Sequence, residues 1–443
     1  MRRPHLTERQ LRSVRVLSTR WQRRIIFVAG GLAVGAAAVG LAQASDWAQL
    51  MFVRALERWH YASFLITPLG FALSVFLTIR FFPNSQGSGI PQAIAARELE
   101  DHEARSRLVS FRIGVGKVLL TVLGLLCGAS VGREGPTVQV GASIMFAIGR
   151  FSPRRQPGLI LAGAAAGVAA AFNTPLAGIV FGIEEMSRAF EVRTSGLIIG
   201  TVIAAGLTSL ALVGNYSYFG SSATMLGNGT DWLAVPVCGV AGGLAGGLFS
   251  RLVIRLARGL PGRPGSLIKS YPVLFALACG LAVAVCGFLS GDTIYGTGYA
   301  QVKHALEGGT PLPESFGILK LLSTVLSTVS GIPGGIFSPS LAVGAGLGSN
   351  VAHFFPTAPL ATILLLGMVS YFAGVVQAPI TAFVIVTEMT DNHAMVVPLM
   401  AAALIAYGTS RLICQEGIYH ALARGFLQRA EIERERAATG ESR

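Results

Sequence analysis

Residues 132–136 read Gly132-Arg133-Glu134-Gly135-Pro136, directly after an apolar run from Ile113 to Val131 that is long enough to enter a lipid bilayer. A carboxylate at that depth is costly to ionise, so an intramembrane acid marks a functional site by default. Glycines bracket the Arg133–Glu134 pair, and Pro136 follows where a helix can restart. Proline suits the first turn of a helix, where its missing N–H costs nothing. The free N–H groups of such a turn point back toward Glu134 and toward any anion beside it.

The rest of the chain supplies the membrane. Of 443 residues, 52% are hydrophobic and 13% charged, against about 25% charged in soluble domains. Continuous apolar stretches recur from Ile25 to Ile413, which predicts an all-α polytopic membrane protein and excludes an outer-membrane barrel, whose strands alternate. Expected spans are 25–43, 62–82, 113–131, 157–183, 195–214, 233–257, 272–290, 317–330, 340–352, 360–388 and 395–413. Several fall short of the roughly 20 residues needed to cross a bilayer. Short segments ending at Gly/Pro clusters predict broken helices, which are tolerated where they line a cavity.

The net charge of +13 suggests nucleic acid, but its distribution argues for topology instead. Eight Arg and one Glu in residues 1–24 supply +7, leaving +6 for the remaining 419 residues. Other basic residues cluster in short connections, at Arg97–Arg112, Arg150–Arg155, Arg188–Arg193 and Arg251–Lys269. By the positive-inside rule these loops and the N-terminus face the cytoplasm, and no nucleic-acid partner is expected. The charged start is too long for a cleavable signal peptide, so the first apolar segment reads as a retained span, preceded by a basic amphipathic surface helix. Cys127, Cys238, Cys279, Cys286 and Cys414 lack metal-like spacing and read as packing residues; no metal and no cofactor are expected.

An internal repeat runs through the chain. Pro136-Thr137-Val138-Gln139-Val140-Gly141-Ala142 resembles Pro339-Ser340-Leu341-Ala342-Val343-Gly344-Ala345, and Pro175 with Glu184 resembles Pro379 with Glu388. Gly87-Ser88-Gly89 with Gln92 resembles Gly296-Thr297-Gly298 with Gln301. The matches keep the same order in each half, which points to a transporter-type fold with its site at the repeat interface. The expected divisions are a basic N-terminal segment 1–24, membrane repeats 25–215 and 216–413, and a C-terminal helix and tail 414–443.

Three breaks share one design: Gly87-Ser88-Gly89-Ile90-Pro91, Gly132–Pro136 and Gly334-Gly335-Ile336-Phe337-Ser338-Pro339. If their helix starts converge, they form an anion site without a full positive charge. Each helix end contributes about 0.3–2 kcal/mol, far below the tens of kcal/mol that disfavour an isolated ion in low dielectric. Several ends, hydroxyls and retained water must act together, and such moderate binding suits a site that also releases its ion.

Individual residues carry two readings each. Ser88 either donates to an anion or caps its own helix, and Tyr419 either donates or sits in the interfacial aromatic belt. Glu134 is either a gate that competes with a bound anion until protonated, or a helix cap or ion-pair partner of Arg133. Glu184-Glu185 is either a proton-uptake site or an interfacial pair bonded to Arg188. Lys117 pairs with an acid, balances the field of the site, or snorkels. Asn215-Tyr216-Ser217 and Asn228-Gly229-Thr230 are glycosylation acceptors only in a eukaryotic secretory pathway; the compact architecture looks bacterial.

The motifs GSGIP (87–91), GREGP (132–136) and GIFSP (335–339), with Tyr419 after the last span, resemble the CLC chloride channel and transporter family over nearly the whole chain. The resemblance implies a CLC-type fold with two inverted repeats and broken helices meeting near the midplane. It also implies a homodimer with one anion pathway per subunit. Ser88 and Tyr419 match the anion-site hydroxyls, the N–H groups of Ile336 and Phe337 match further anion donors, and Glu134 matches the external gating glutamate. Glu185 matches the internal proton glutamate typical of the antiporters, and Lys117 a basic residue of bacterial members; Arg133 is further electrostatic support. Serine at position 88 matches chloride-type members, and the GREGP form argues against the fluoride-exporting branch. Gln92 and Ile94 depart from familiar bacterial antiporters, which often have acids there.

The expected function is secondary-active chloride/proton antiport across a bacterial inner membrane, with both termini cytoplasmic and chloride and protons as the transported species. One rival is a passive chloride channel of the same fold. Another is an intramembrane enzyme using Glu134 with Glu184 or Glu185, for which no supporting HExxH, Gly-x-Ser-x-Gly or phosphate-binding loop is expected.

Overall fold

The computed structural model describes residues 8–150, 153–187, 192–214, 217–220, 224–227 and 229–439. Arg188, a suggested partner of Glu184-Glu185, lies outside these residues, as do Asn215 and Asn228 of the glycosylation readings. Among the described residues there is no β-strand, only two isolated backbone bridges.

The first half comprises α1 (Glu8–Arg58), α2 (Ser63–Phe81), α3 (Ile90–Glu98), α4 (His102–Val109), α5 (Phe111–Leu126), α6 (Glu134–Gly149), α7 (Gln156–Phe172), α8 (Pro175–Phe181) and α9 (Val192–Val213). The second comprises α10 (Ala234–Ala257), α11 (Arg263–Ser270), α12 (Pro272–Leu289), α13 (Tyr299–Leu306), α14 (Phe316–Val329), α15 (Phe337–Ala352), α16 (Leu360–Val376), α17 (Pro379–Thr390) and α18 (Val396–Ile413). The chain then enters α19 (Ile418–Thr439). Among the described residues, seven helical segments are long and apolar enough to cross a membrane, and four shorter apolar helices accompany them.

The halves repeat each other's packing. α6 lies on α7 as α15 lies on α16, and α1 packs on α9 as α10 packs on α18. Counterparts also touch across the molecule, α2 against α12 and α8 against α17, as a two-fold relation between halves requires. The matching helix pairs meet at matching glycines. A Cβ on Gly141 would lie 2.2 Å from the Gly163 carbonyl oxygen, and one on Gly344 would lie 2.5 Å from that of Gly367. Lipid offers no hydrophobic drive between helices, so close backbone approach at small residues supplies the packing.

Two expected spans are broken. Segment 157–183 divides at Asn173-Thr174-Pro175, and 360–388 divides at Gln377-Ala378-Pro379. Asn173 (φ 56°) and Gln377 (φ 60°) end their helices in the left-handed conformation, and each following proline opens a new helix. The apolar runs on both sides conceal the breaks because each connection is only two residues long. Segment 113–131 is helical only to Leu126, and the residues after Glu134, absent from the expected spans, form α6. α1 passes residues 24 and 25 without interruption.

Candidate ion-binding site and gate

The three glycine–proline breaks lie together. The Gly87 N–H donates to the Ile332 carbonyl at 3.1 Å, and the Gly334 N–H to the Gly87 carbonyl at 3.0 Å. Gly132 and Gly335, equivalent residues of the two repeats, exchange N–H···O bonds of 2.7 Å in both directions. These bonds bring the starts of α3, α6 and α15 to one place. Gly135 has no room for a side chain, since a Cβ there would fall 2.4 Å from Ser88 Oγ and 3.1 Å from Gly335 Cα. Gly89 takes φ 97° and would place a Cβ 2.7 Å from that of Gln139. Glycine is thus required by both space and backbone conformation.

Glu134 opens α6 and is wholly buried. Its Oε1 accepts a hydrogen bond from Ser338 Oγ, on the second residue of α15. Its Oε2 has no hydrogen-bond partner and lies back over Gly132, where a Cβ would come within 2.3 Å of it. The carboxylate of one repeat therefore occupies the amino end of a helix from the other. Arg133 does not pair with it. The guanidinium reaches Asp46 Oδ1 at 2.7 Å and the Ala42 carbonyl at 2.8 Å, both on α1, and stands 5.7 Å from the centre of the Tyr218 ring. Asp46, Arg133, Tyr218 and Tyr299 line a cavity of about 150 Å³.

Ser88 and Tyr419 are both buried, and neither hydroxyl has a hydrogen-bond partner in the protein. The capping reading of Ser88 fails, because Gly89 stands at the cap of α3 and no side chain bonds that helix start. The interfacial reading of Tyr419 fails because its side chain is fully enclosed. Tyr419 lies near Ser88 and within electrostatic range of both Glu134 and Glu185. Its ring centre is 5.9 Å from that of Phe337, which with Ile336 forms the buried start of α15. The site thus combines helix-start N–H groups, two donors without protein acceptors and one buried carboxylate.

Lys117 neither snorkels nor pairs with an acid. Its ammonium donates to the carbonyls of Ser85 at 2.5 Å and Gly87 at 2.7 Å, tying down the turn that carries Ser88. Lys320 performs the same task in the second half, donating to Ile294 and Gly296 at 2.7 Å each. Gln92 reinforces the first turn through the carbonyls of Gln86 (2.6 Å) and Asn84 (3.2 Å), and Ile94 is simply buried.

The adjacent acids part company. Glu184 accepts from the N–H groups of Ile380 (3.1 Å) and Thr381 (2.6 Å) and from Thr381 Oγ1 (2.7 Å), at the start of α17. Glu185 is buried in a π-helical turn, Gly182–Ser187. Its carbonyl lies 2.8 Å from His420 Nε2, and its carboxylate 3.9 Å from the same nitrogen.

Sequence reasoning missed Ser338, Lys320 and His420. Lys320 was recoverable from the repeat, being 203 residues after Lys117, the offset that joins Pro136 to Pro339. The Ser338 hydroxyl sat inside a quoted motif, but nothing local signalled its partner, and His420 had no signal. The expectation that no Gly-x-Ser-x-Gly pattern is present needs correction: Gly128-Ala129-Ser130-Val131-Gly132 has that spacing. Ser130 Oγ is 2.9 Å from Thr324 Oγ1, its N–H bonds Ser327 Oγ at 3.1 Å, and the strand–turn–helix of a nucleophile elbow is missing there.

The voltage gated chloride channel family matches residues 69–411. The H(+)/Cl(-) exchange transporter ClcA of Yersinia pseudotuberculosis serotype IB (strain PB1/+) is 32% identical over 434 residues, covering 91% of this chain and 87% of the relative. ClcA of Salmonella paratyphi C (strain RKS4594) is also 32% identical, over 453 residues, covering 94% and 93%. A crystal structure of a slow cyanobacterial Cl-/H+ antiporter superposes with a TM-score of 0.77 at 25% identity, covering 92% of this chain and 98% of that one. With the family matched over most of its length and such relatives on both sequence and fold, the chain belongs to the voltage gated chloride channel family.

Proposed function

We propose that this protein is a secondary-active chloride/proton antiporter. The observation that carries the reading is Glu134, a buried carboxylate held by Ser338 at the amino end of α15, where an anion would otherwise bind. Chloride passes Ser88 and Tyr419, whose hydroxyls donate to it, and reaches the N–H groups of Ile336 and Phe337. Protons arrive from the cytoplasmic side through Glu185. Once protonated, Glu134 loses its charge and its hold on the site, so an anion replaces it. One carboxylate thereby serves proton transfer and anion exclusion, which links the two fluxes. The names of the relatives as H(+)/Cl(-) exchangers support antiport over the passive-channel reading. We assign the protein to transport rather than enzymatic catalysis, to a bacterial inner membrane with both termini cytoplasmic, and to a homodimer with one pathway in each subunit.

Proteoliposomes with an outward chloride gradient and a pH probe test the assignment. Uphill proton movement driven by chloride is expected; rapid chloride flux without it identifies a channel. Light scattering on purified protein checks the dimer.

A further inference from the structure

We infer that His420 is the proton-exchange partner of Glu185, the group through which protons from cytoplasmic water reach that buried carboxylate. The inference rests on the antiporter reading. His420 is the third residue of α19, next to Tyr419, so one helix start carries both an anion-site hydroxyl and the imidazole. His420 Nε2 lies 2.8 Å from the Glu185 carbonyl oxygen and 3.9 Å from Glu185 Oε1. A carbonyl only accepts, so Nε2 carries the hydrogen in that contact and the basic nitrogen of the neutral ring is Nδ1. The Glu185 side chain is 4% exposed, and that of His420 13%. The imidazole is therefore the more open of the two. Glu185 sits in a π-helical turn, a local irregularity that recurs at functional sites.

The proton steps balance. A proton taken up at Nδ1 makes the ring an imidazolium. A small rotation moves Nε2 from the carbonyl to the carboxylate of the same residue, and the Nε2 proton passes to Oε1. The ring is left neutral with its hydrogen on Nδ1, and exchange with water restores the first tautomer. Histidine suits the step because its ordinary pKa of about 6.5 lets it gain and lose a proton near neutral pH.

Among the described residues, the charged groups around the ring come from three helices and the π-helical turn. Arg97 of α3 binds the Met186 carbonyl (2.9 Å) and Ser187 Oγ (3.1 Å) in the same turn as Glu185, and Glu98 follows it. On α19 itself Tyr419 precedes the ring, and Arg424 pairs with Glu416 at 3.5 Å. Arg258, beyond α10, also pairs with Glu416; α10 itself carries Arg251 and Arg255. α16 packs on α19 and brings Tyr371 but no charged side chain.

The test uses the full chain in proteoliposomes. His420→Gln keeps a donor for the Glu185 carbonyl but does not titrate. Its chloride-driven proton flux is expected to fall by ~10-fold or more, general acid–base groups contributing more than that elsewhere. The dependence of that flux on pH between about 5.5 and 7.5 should flatten. His420→Ala should lose proton flux likewise and regain it with added imidazole. Wild-type flux and pH profile in His420→Gln overturn the inference, as does an Ala variant that imidazole leaves unrestored, since that loss reports packing alone. Glu185→Gln separates the two levels: coupling that survives it overturns the role of Glu185 and this inference together. Coupling lost in Glu185→Gln but intact in His420→Gln overturns this inference alone.

Discussion

Glu184 and Glu388 each cap a helix that begins in the opposite repeat. Glu184 accepts the N–H groups of Ile380 and Thr381 at the start of α17, and Glu388 accepts those of Leu176 (3.1 Å) and Ala177 (2.6 Å) at the start of α8. Each helix follows a proline break, and each acid lies nine residues after the proline of its own repeat. The pair fastens the halves to one another reciprocally, by charge on helix-start donors.

Removing either charge should therefore loosen the contact between halves. Glu388→Gln and Glu184→Gln are each expected to destabilise the fold by about 1.5–3 kcal/mol, the range for hydrogen bonds to charged groups. Thermal unfolding in detergent measures it, with proton coupling retained in Glu184→Gln. Loss of coupling in a well-folded Glu184→Gln would restore the proton-uptake reading of that residue.

Glu134→Gln should keep chloride flux and abolish proton transport, and persistent coupling would remove its gating role. Wild-type chloride flux should rise as pH falls, because protonation discharges the carboxylate that competes with the anion. Flux in Glu134→Gln should not follow pH in this way.

Ser338→Ala removes the hydroxyl that holds Glu134 in place. A hydrogen bond to a charged group contributes about 1.5–3 kcal/mol, so the plugged state should weaken by roughly 10- to 100-fold. Chloride binding by calorimetry at neutral pH should tighten accordingly. Unchanged or weaker binding would mean that the hydroxyl serves the anion rather than the gate.

Ser88→Ala and Tyr419→Phe delete hydroxyls that bond nothing else in the protein. Their loss should leave the unfolding temperature nearly unchanged while weakening chloride by about 1 kcal/mol each, near fivefold. Lys117→Met should behave differently. It strands the Ser85 and Gly87 carbonyls at a cost of about 1–3 kcal/mol, and it should lower both stability and chloride affinity. Lys320→Met, which strands Ile294 and Gly296 instead, should lower stability with little effect on chloride.

The glycine–proline breaks and the repeat were legible because both are written in local residue types with fixed conformational demands. Gly87, Gly89, Gly296 and Gly298 all take positive φ, which glycine adopts without strain. The acid at Glu134 was legible because so few charges enter apolar runs. The divisions at Asn173 and Gln377 were harder, since only one or two polar residues interrupt the apolar stretch before each proline. Contacts between segments distant in sequence were hidden altogether. Ser338 lies 204 residues from Glu134, and His420 lies 235 from Glu185. No spacing rule connects residues that only tertiary packing makes neighbours.

The paired bonds between Gly132 and Gly335 restrict how this molecule can work. They join the two halves at the very point where α6 and α15 begin. A large rocking of one half against the other would shear them, along with the bonds between Gly87 and the 332–334 segment. A stroke confined to side chains at these helix starts would leave that frame of bonds intact.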